Sequence, residues 1–524
     1  MAIIQRPASA LRRTVQLGLI GIGLCGFSQL ASAEENARYI VHYKDGSHAQ
    51  VRNALVSARA SLHFQIQSMN AVAVDATPSG VKQLLKNRDV ASVELDAKRY
   101  PFATATASTG APYQVGQLVP YGIGMVQADK LPNGDTATAN RKVCIIDSGI
   151  DRAHEDLNGN AMTGEYDSGT GWWYSDENQH GTHVAGTIAA INNSGVGVVG
   201  INPNKRLKLH IVKVFGANGW AYSSSLATAA NKCKTAGANI ISMSLGGSGF
   251  SSAENTAFDN LAKAGVLLVA AAGNDGNTTI SYPAGYTSVI SVGAVNESKA
   301  WASFSQYNSK VELSAPGVGV LSTIPTGKGS ETSLMVAGGT YSVSSMAGSP
   351  SKAVTAALAD FGLGSAVSSS MAGKVCLIQR GTNDFSAKVK NCEASGGRAA
   401  IIYNNVAGKF SGTLGTTATK IPSLSISNAD GVALKAKLGQ AATVKVGVSN
   451  YAYYDGTSMA TPHVAGVAAL VWSYFPTCTA AQMRVSLNNS ALDLGSKGRD
   501  VKFGYGLVQA KAAYDRIKSL GCGK

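Results

Sequence analysis

From Lys142 onward the chain alternates short, uninterrupted apolar runs with helix-length segments, and that alternation limits the fold more than any other feature. Val143-Cys144-Ile145-Ile146, Leu209–Phe215, Ile240-Ile241-Ser242-Met243, Val266–Ala270 and Val289–Val292 read as strands without a polar face. Helical stretches lie at His180–Ile191, Ser223–Ala236 and Ser252–Lys263, and a long apolar helix follows much later at Thr457–Phe475. A strand with no polar face must be covered on both sides. The expectation is therefore an α/β fold on a doubly wound, mostly parallel sheet. A composition that is 45% apolar and only 15% charged agrees with packed layers and excludes a disordered chain. The 524 residues have room for about three domains. A net charge of +14 comes without a dense Lys/Arg run interleaved with aromatics, so no nucleic-acid partner is expected.

The N-terminus reads as an export signal. Arg6, Arg12 and Arg13 precede the apolar run Val15–Phe27, which ends near the small-residue site Ala31-Ser32-Ala33. The run is too short to span a bilayer, so no membrane anchor is expected. Leu24 stands where a lipid-modified Cys25 would need a small residue. The expected destination is extracellular, or periplasmic if export stops there. Of the seven cysteines, six remain once Cys25 leaves with the signal. An even number in an oxidising compartment favours disulfides, and six permit fifteen connectivities. The favoured one joins sequence neighbours, Cys144–Cys233, Cys376–Cys392 and Cys478–Cys522. Buried free thiols remain the alternative for the first pair.

The sequence divides into further segments. Residues 34 to about 102 order as β-α-β-α-β, with strands at Tyr39–Tyr43, Asn70–Val74 and Val90–Glu94 and helices at Gln50–Ala60 and Ser79–Lys86. That order fits a small α+β unit. Ala103–Ala111 is small, uncharged and aperiodic, as an exposed, cleavable linker would be. The strand–helix alternation stops near Thr326, and roughly 120 Gly/Ser/Thr-rich residues follow, too many for a loop. The divisions are thus a signal (1–33), an N-terminal unit with linker (34–111), an α/β domain in two parts (112–326 and 450–524), and an inserted β-rich domain (327–449).

Three segments point to one chemistry. Asp147-Ser148-Gly149 ends a buried strand, His180-Gly181-Thr182-His183 opens a helix, and Gly456-Thr457-Ser458-Met459 opens another. A serine at a helix start has free N–H groups near its Oγ, which favours developing negative charge. Ser458 as nucleophile, His180 as general base and Asp147 as the orienting anion make a set in the chain order Asp…His…Ser. That order, and Gly-Thr-Ser-Met in place of Gly-x-Ser-x-Gly, oppose an esterase of the α/β-hydrolase type.

These motifs resemble the subtilisin-like serine proteases: Asp147 in VCIIDSGID, His180 in HGTHVAG and Ser458 in GTSMATPHVAG, over about residues 115–326 and 450–524. The resemblance implies a serine endopeptidase, a monomer acting on proteins and peptides, with Asn274 in Ala271-Ala272-Gly273-Asn274 donating to the oxyanion. It makes Ser244-Leu245-Gly246 and Gly219-Trp220-Ala221 the backbone segments that pair with substrate. Ser281 then lies near the floor of the main specificity pocket, with Asp275 at its rim. It implies structural Ca2+ held by side-chain oxygens of Gln117, Asp156 and Asn193 and carbonyls of Ile191, Val196 and Val198. Residues 34 to about 102 resemble the family's ferredoxin-like inhibitory propeptide, an intramolecular inhibitor and folding chaperone. The insert resembles a protease-associated (PA) domain through Gly373–Gly381 and Phe385–Cys392. His183 and His463 read as structural. The competing reading is a catalytically inactive binding protein or adhesin that uses the inserted domain.

Overall fold

The computed structural model describes residues 35–66, 69–102, 104–105, 117–131, 140–193, 196–216, 219–408, 410 and 412–524. The expected export signal (1–33) and most of the 103–111 linker lie outside them.

The apolar runs form one seven-stranded sheet whose strands are all parallel. In spatial order it runs Val311–Pro316, Val289–Val295, Leu267–Ala271, Ile240–Met243, Lys142–Asp147, Lys208–Lys213 and Ala161–Gly164. Side chains alternate across a strand, and here alternate residues enter two different cores. Val143 and Ile145 join a core with Val184 and Ile188 of helix His180–Ala189 and Val464 and Val467 of helix Thr457–Tyr474. Cys144 and Ile146 join a second core, with Leu226 of helix Ser223–Thr235 and Phe258 of helix Ser252–Lys263. The sheet is thus covered on both faces, as strands without a polar face require.

Residues 37–95 form a separate four-stranded antiparallel sheet in the order Ser61–Ile66, Ala71–Ala76, Ala37–Tyr43 and Val90–Leu95, with helices His48–Ser57 and Pro78–Leu84. The resulting β-α-β-β-α-β order contains one strand more than the sequence reading. Ser61–Ile66 escapes a hydrophobicity pattern because it lies at the sheet's edge and only Ile66 is buried. Residues 329–449 build an eight-stranded mixed sheet carrying helices Phe385–Ala394 and Asn428–Lys435. The chain ends in helices Ala480–Asn489 and Ala510–Leu520.

The cysteines join as sequence neighbours: Cys144–Cys233, Cys376–Cys392 and Cys478–Cys522. The first ties a central strand to a covering helix, so neither thiol is free. No helix among the described residues is long and apolar enough to cross a membrane.

Candidate active site

Asp147 is the last residue of strand Lys142–Asp147, and a parallel sheet presents functional groups at such carboxyl ends. Its Oδ1 accepts from Ser148 N (2.7 Å) and from His180 Nδ1 (2.7 Å). With the Nδ1 proton committed to a carboxylate, the lone pair of His180 is on Nε2. That atom is buried and makes no hydrogen bond among the described residues.

The His180 helix is held against the strand end by its own first turn. Asp176 accepts from Gln179 N (2.9 Å), Thr182 N (2.8 Å) and Thr182 Oγ1 (2.6 Å), satisfying donors that a helix start leaves free. Ser148 Oγ donates to Asp176 (2.7 Å) and accepts from Gly181 N (2.9 Å), linking the two segments. A Cβ on Gly181 would lie 2.1 Å from Gly149 O, so only glycine permits this approach.

Ser458 is in the first turn of helix Thr457–Tyr474. Pro462 has no N–H to return to the Ser458 carbonyl four residues earlier, and Ser244 Oγ donates to that carbonyl instead (2.8 Å). Reciprocally, Ser458 Oγ donates to Ser244 O (2.7 Å). The Asn274 amide is oriented by Thr457, whose N (2.9 Å) and Oγ1 (2.8 Å) both donate to Asn274 Oδ1, which leaves Nδ2 facing outward. Gly273, just before it, has φ +113° and passes so close to Gln306 that a Cβ would sit 1.4 Å from Oε1.

The cleft contains a segment of the chain itself. Strand Lys98–Pro101 lies antiparallel between Ala221–Tyr222 and Leu245–Gly246. The next residue, Phe102, reaches the serine. Phe102 N donates to Ser458 Oγ (2.9 Å) and Ser244 O (3.4 Å), while Phe102 O accepts from Asn274 Nδ2 (3.0 Å) and Ser458 N (3.4 Å). A Cβ on Gly246 would meet both the Phe102 ring (2.6 Å) and Ser281 Oγ (2.7 Å), so the ring, Gly246 and Ser281 meet at one place. Asn274 and Ser458, from distant parts of the sequence, thus meet at the Phe102 carbonyl oxygen, while Ser244 holds the Phe102 amide.

Two details differ from the sequence reading. One flank of the cleft pairs through Ala221 and Tyr222, with Trp220 touching Lys98 Nζ through its ring (4.2 Å). Gly219 does not pair: its φ is +69° and its N–H closes a turn onto Gly216 O (3.1 Å). The Ser458 hydroxyl also faces Ser244 O and Phe102 N rather than His180.

The residues assigned to calcium do gather. Gln117 Nε2 donates to Ile191 O (2.8 Å), Asn193 Oδ1 (3.1 Å) and Val198 O (3.4 Å), while Val196 stands outside this set. Asp156 accepts from Asn193 Nδ2 (2.8 Å) and Val198 N (2.7 Å). Three oxygens converging on one amide, which can present its own oxygen by rotation, are the hard donors calcium prefers. Among the described residues no three His, Cys, Asp or Glu side chains group to hold a metal, so Asp156 would supply the charge and neutral oxygens the rest.

Comparison with known proteins identifies the family. The sequence model of the subtilase family matches residues 138–360 and 417–506, and that of the PA domain matches 338–434. Subtilisin amylosacchariticus of Bacillus subtilis subsp. amylosacchariticus is 30% identical over 484 residues, 91% of this chain and 90% of its own. The crystal structure of the psychrophilic subtilisin-like protease Apa1 from Pseudoalteromonas sp. AS-11 superposes with a TM-score of 0.59 at 43% identity, covering 78% of this chain and all of that one (100%). Fervidolysin from Fervidobacterium pennivorans shares the fold, with a TM-score of 0.60 at 23% identity over 92% of this chain and 61% of its own. The chain belongs to the subtilase family and is a serine endopeptidase carrying a PA domain.

His183 and His463 serve as framework. His183 Nε2 faces Val320 O (3.0 Å) and Ala452 O (3.1 Å), and its ring stacks on Tyr454 at 4.4 Å. Burial, with His180 nearby, holds its pKa down at about 3. Burial likewise lowers His463 to about 4, while its Nδ1 donates to Met459 O (2.8 Å). An unfolded imidazole takes a proton near its ordinary value of about 6.5, so the unfolded chain binds more protons than the folded one below that pH. Stability is complete above about pH 6.5 and falls as pH drops towards about 4, by up to about 1.4 kcal/mol per pH unit for each ring. Denaturant unfolding of the Ser458→Ala chain across this range will show the decline, and His463→Gln will make it shallower. An equal slope in both proteins would contradict the assignment.

Proposed function

We propose that the protein is a secreted endopeptidase, made as a zymogen that cuts itself after Phe102 with Ser458, His180 and Asp147. The observation carrying this reading is the Phe102 carbonyl, held by Asn274 Nδ2 and Ser458 N while its own amide meets Ser458 Oγ. The hydroxyl turns from Ser244 to His180, and Nε2 takes its proton as Oγ attacks the carbonyl carbon. Asp147 stabilises the imidazolium. Negative charge collects on the carbonyl oxygen between the two donors, and His180 then protonates the departing Ala103 amine. Water releases the acyl group by the same steps. Protein substrates occupy the same strand position, where main-chain pairing gives affinity with little sequence demand.

Residues 35–102 then remain as an inhibitor, and two carboxylates support that role. Glu94 accepts from Ser252 N (3.0 Å), Ala253 N (3.1 Å) and the hydroxyls of Ser251 and Ser252, at the start of helix Ser252–Lys263. Burial raises its pKa, but the hydrogen bonds from His42, Ser252 and Ala253 outweigh this and hold it at about 2. Asp96 accepts from Ser224 N (3.0 Å) and the hydroxyls of Ser223 and Ser224 at the start of helix Ser223–Thr235. Each carboxylate satisfies free N–H groups and opposes the positive end of a helix dipole.

Export is supported by the N-terminal charge and apolar pattern and by three disulfides. Calcium at Gln117, Asp156, Ile191, Asn193 and Val198 would brace the loop that follows the His180 helix. Residues 327–449 contain no histidine to serve as a second general base, and the PA domain shapes access to the cleft or binds substrate protein.

N-terminal sequencing of the secreted protein tests self-processing. Wild type is expected to begin at Ala103, whereas Ser458→Ala keeps residues 34–102 attached; a Ser458→Ala chain cut at the same bond in the absence of wild type would refute it. In Asn274→Ala, turnover should fall by about 10²–10³ with the fold retained, and an unchanged rate would remove Asn274 from the mechanism. Chelation of calcium should lower the thermal unfolding midpoint, and Asp156→Asn should blunt that response.

A further inference from the structure

Arg99 is fully buried (0% exposed), three residues before the carbonyl that Ser458 addresses. All five N–H donors of its guanidinium are used. Nη2 meets Glu254 Oε2 at 2.6 Å and Nε meets Oε1 at 3.3 Å, a two-point pairing. Nη1 donates to Lys98 O (3.1 Å) and Ser248 O (3.3 Å), and Nη2 also donates to Gly249 O (3.1 Å).

Glu254 belongs to the catalytic domain and is itself fully buried (0% exposed). Its backbone is fixed by the Ser251 cap, whose Oγ accepts from Glu254 N (3.2 Å). Its carboxylate is aimed by Tyr286, whose hydroxyl donates to Oε2 (2.6 Å). A buried carboxylate is strongly disfavoured unless a cation pairs with it. Among the described residues its ion pair is with Arg99, and Arg99 lies on the segment proposed to be cut away. The carboxylate, Tyr286 and the carbonyls of Ser248 and Gly249 all stay with the enzyme. They form a site shaped for a guanidinium that must arrive from whatever strand next fills the cleft.

We infer that Glu254 makes the fourth residue before the cleaved bond a selected position, and that the enzyme favours protein substrates with arginine there. This rests on the cleft assignment proposed above. Lysine is a poorer fit because a single ammonium cannot reach two carboxylate oxygens and three carbonyls in a fork. Neutral residues are disfavoured because they leave the carboxylate buried and unpaired.

The test uses the full chain, expressed and allowed to process, and internally quenched peptides Xaa-Tyr-Pro-Phe-Ala-Thr-Ala in which Xaa is Arg, Lys, citrulline or Ala. With wild type, kcat/KM for Arg should exceed citrulline and Ala by about 30-fold or more, with Lys between. Glu254→Gln keeps the size and the Tyr286 contact, and should shrink the Arg advantage to within about threefold. Wild type that cuts the Arg and Ala peptides equally overturns the inference and leaves the cleft assignment standing. In that case the Arg99–Glu254 pair serves only assembly of the precursor. Wild type that cuts none of them, including the natural Arg-Tyr-Pro-Phe sequence, removes the cleft assignment and the inference with it. The wild-type comparison decides the matter even if Glu254→Gln does not fold.

Discussion

Every strand of a parallel sheet delivers its carboxyl end to the same edge, and the rest of this protein is arranged around that fact. Asp147 leaves one strand there, the Ala271-Ala272-Gly273-Asn274 turn leaves another, and the segment around Ser244 leaves a third. Helices starting beside that edge then bring in His180 and Ser458. Such helices carry unpaired N–H groups, and the site turns this property to use. One N–H, that of Ser458, faces a carbonyl oxygen, and those of the His180 helix are satisfied by Asp176 and Ser148.

The site gains precision from polar groups that orient one another. Thr457 accounts for both hydrogen bonds to Asn274 Oδ1, so the amide has one sensible orientation. Pro462 frees a carbonyl that Ser244 then holds, which fixes the backbone of the serine to the cleft wall. None of these partners has reactive chemistry of its own. Their contribution is that Asn274 Nδ2 and Ser458 N are held aligned on the Phe102 carbonyl oxygen.

The N-terminal unit binds the catalytic domain through the same physics on a larger scale. Glu94 of strand Val90–Leu95 and Asp96 just beyond its end each meet the N-terminus of a catalytic-domain helix. Three residues further on, the buried Arg99–Glu254 pair leads the strand to Phe102. Apolar packing of Ile40, Ile66 and Ala71 against Ala253 accompanies these charge-matched contacts.

The alternation of apolar strands and helices, and the three motifs around Asp147, His180 and Ser458, were legible in the chain because each obeys a local rule of periodicity or of helix-start chemistry. The cysteine pairing was legible too. Strand Ser61–Ile66 was not, since an edge strand exposed on most positions leaves no pattern. Neither Thr457 nor Glu254 announced a role: a threonine beside a serine and a glutamate in a helix's first turn are ordinary sights. Phe102 lay just outside the segment read as the cleavable linker, and nothing local marks it as the residue against Ser458. Local sequence therefore determined which residue types stand at the strand ends and helix starts, and which elements hold them. Only tertiary structure decided what those groups face, because Arg99 meets Glu254 across 155 positions, and Phe102 meets Ser458 across 356, through folding alone.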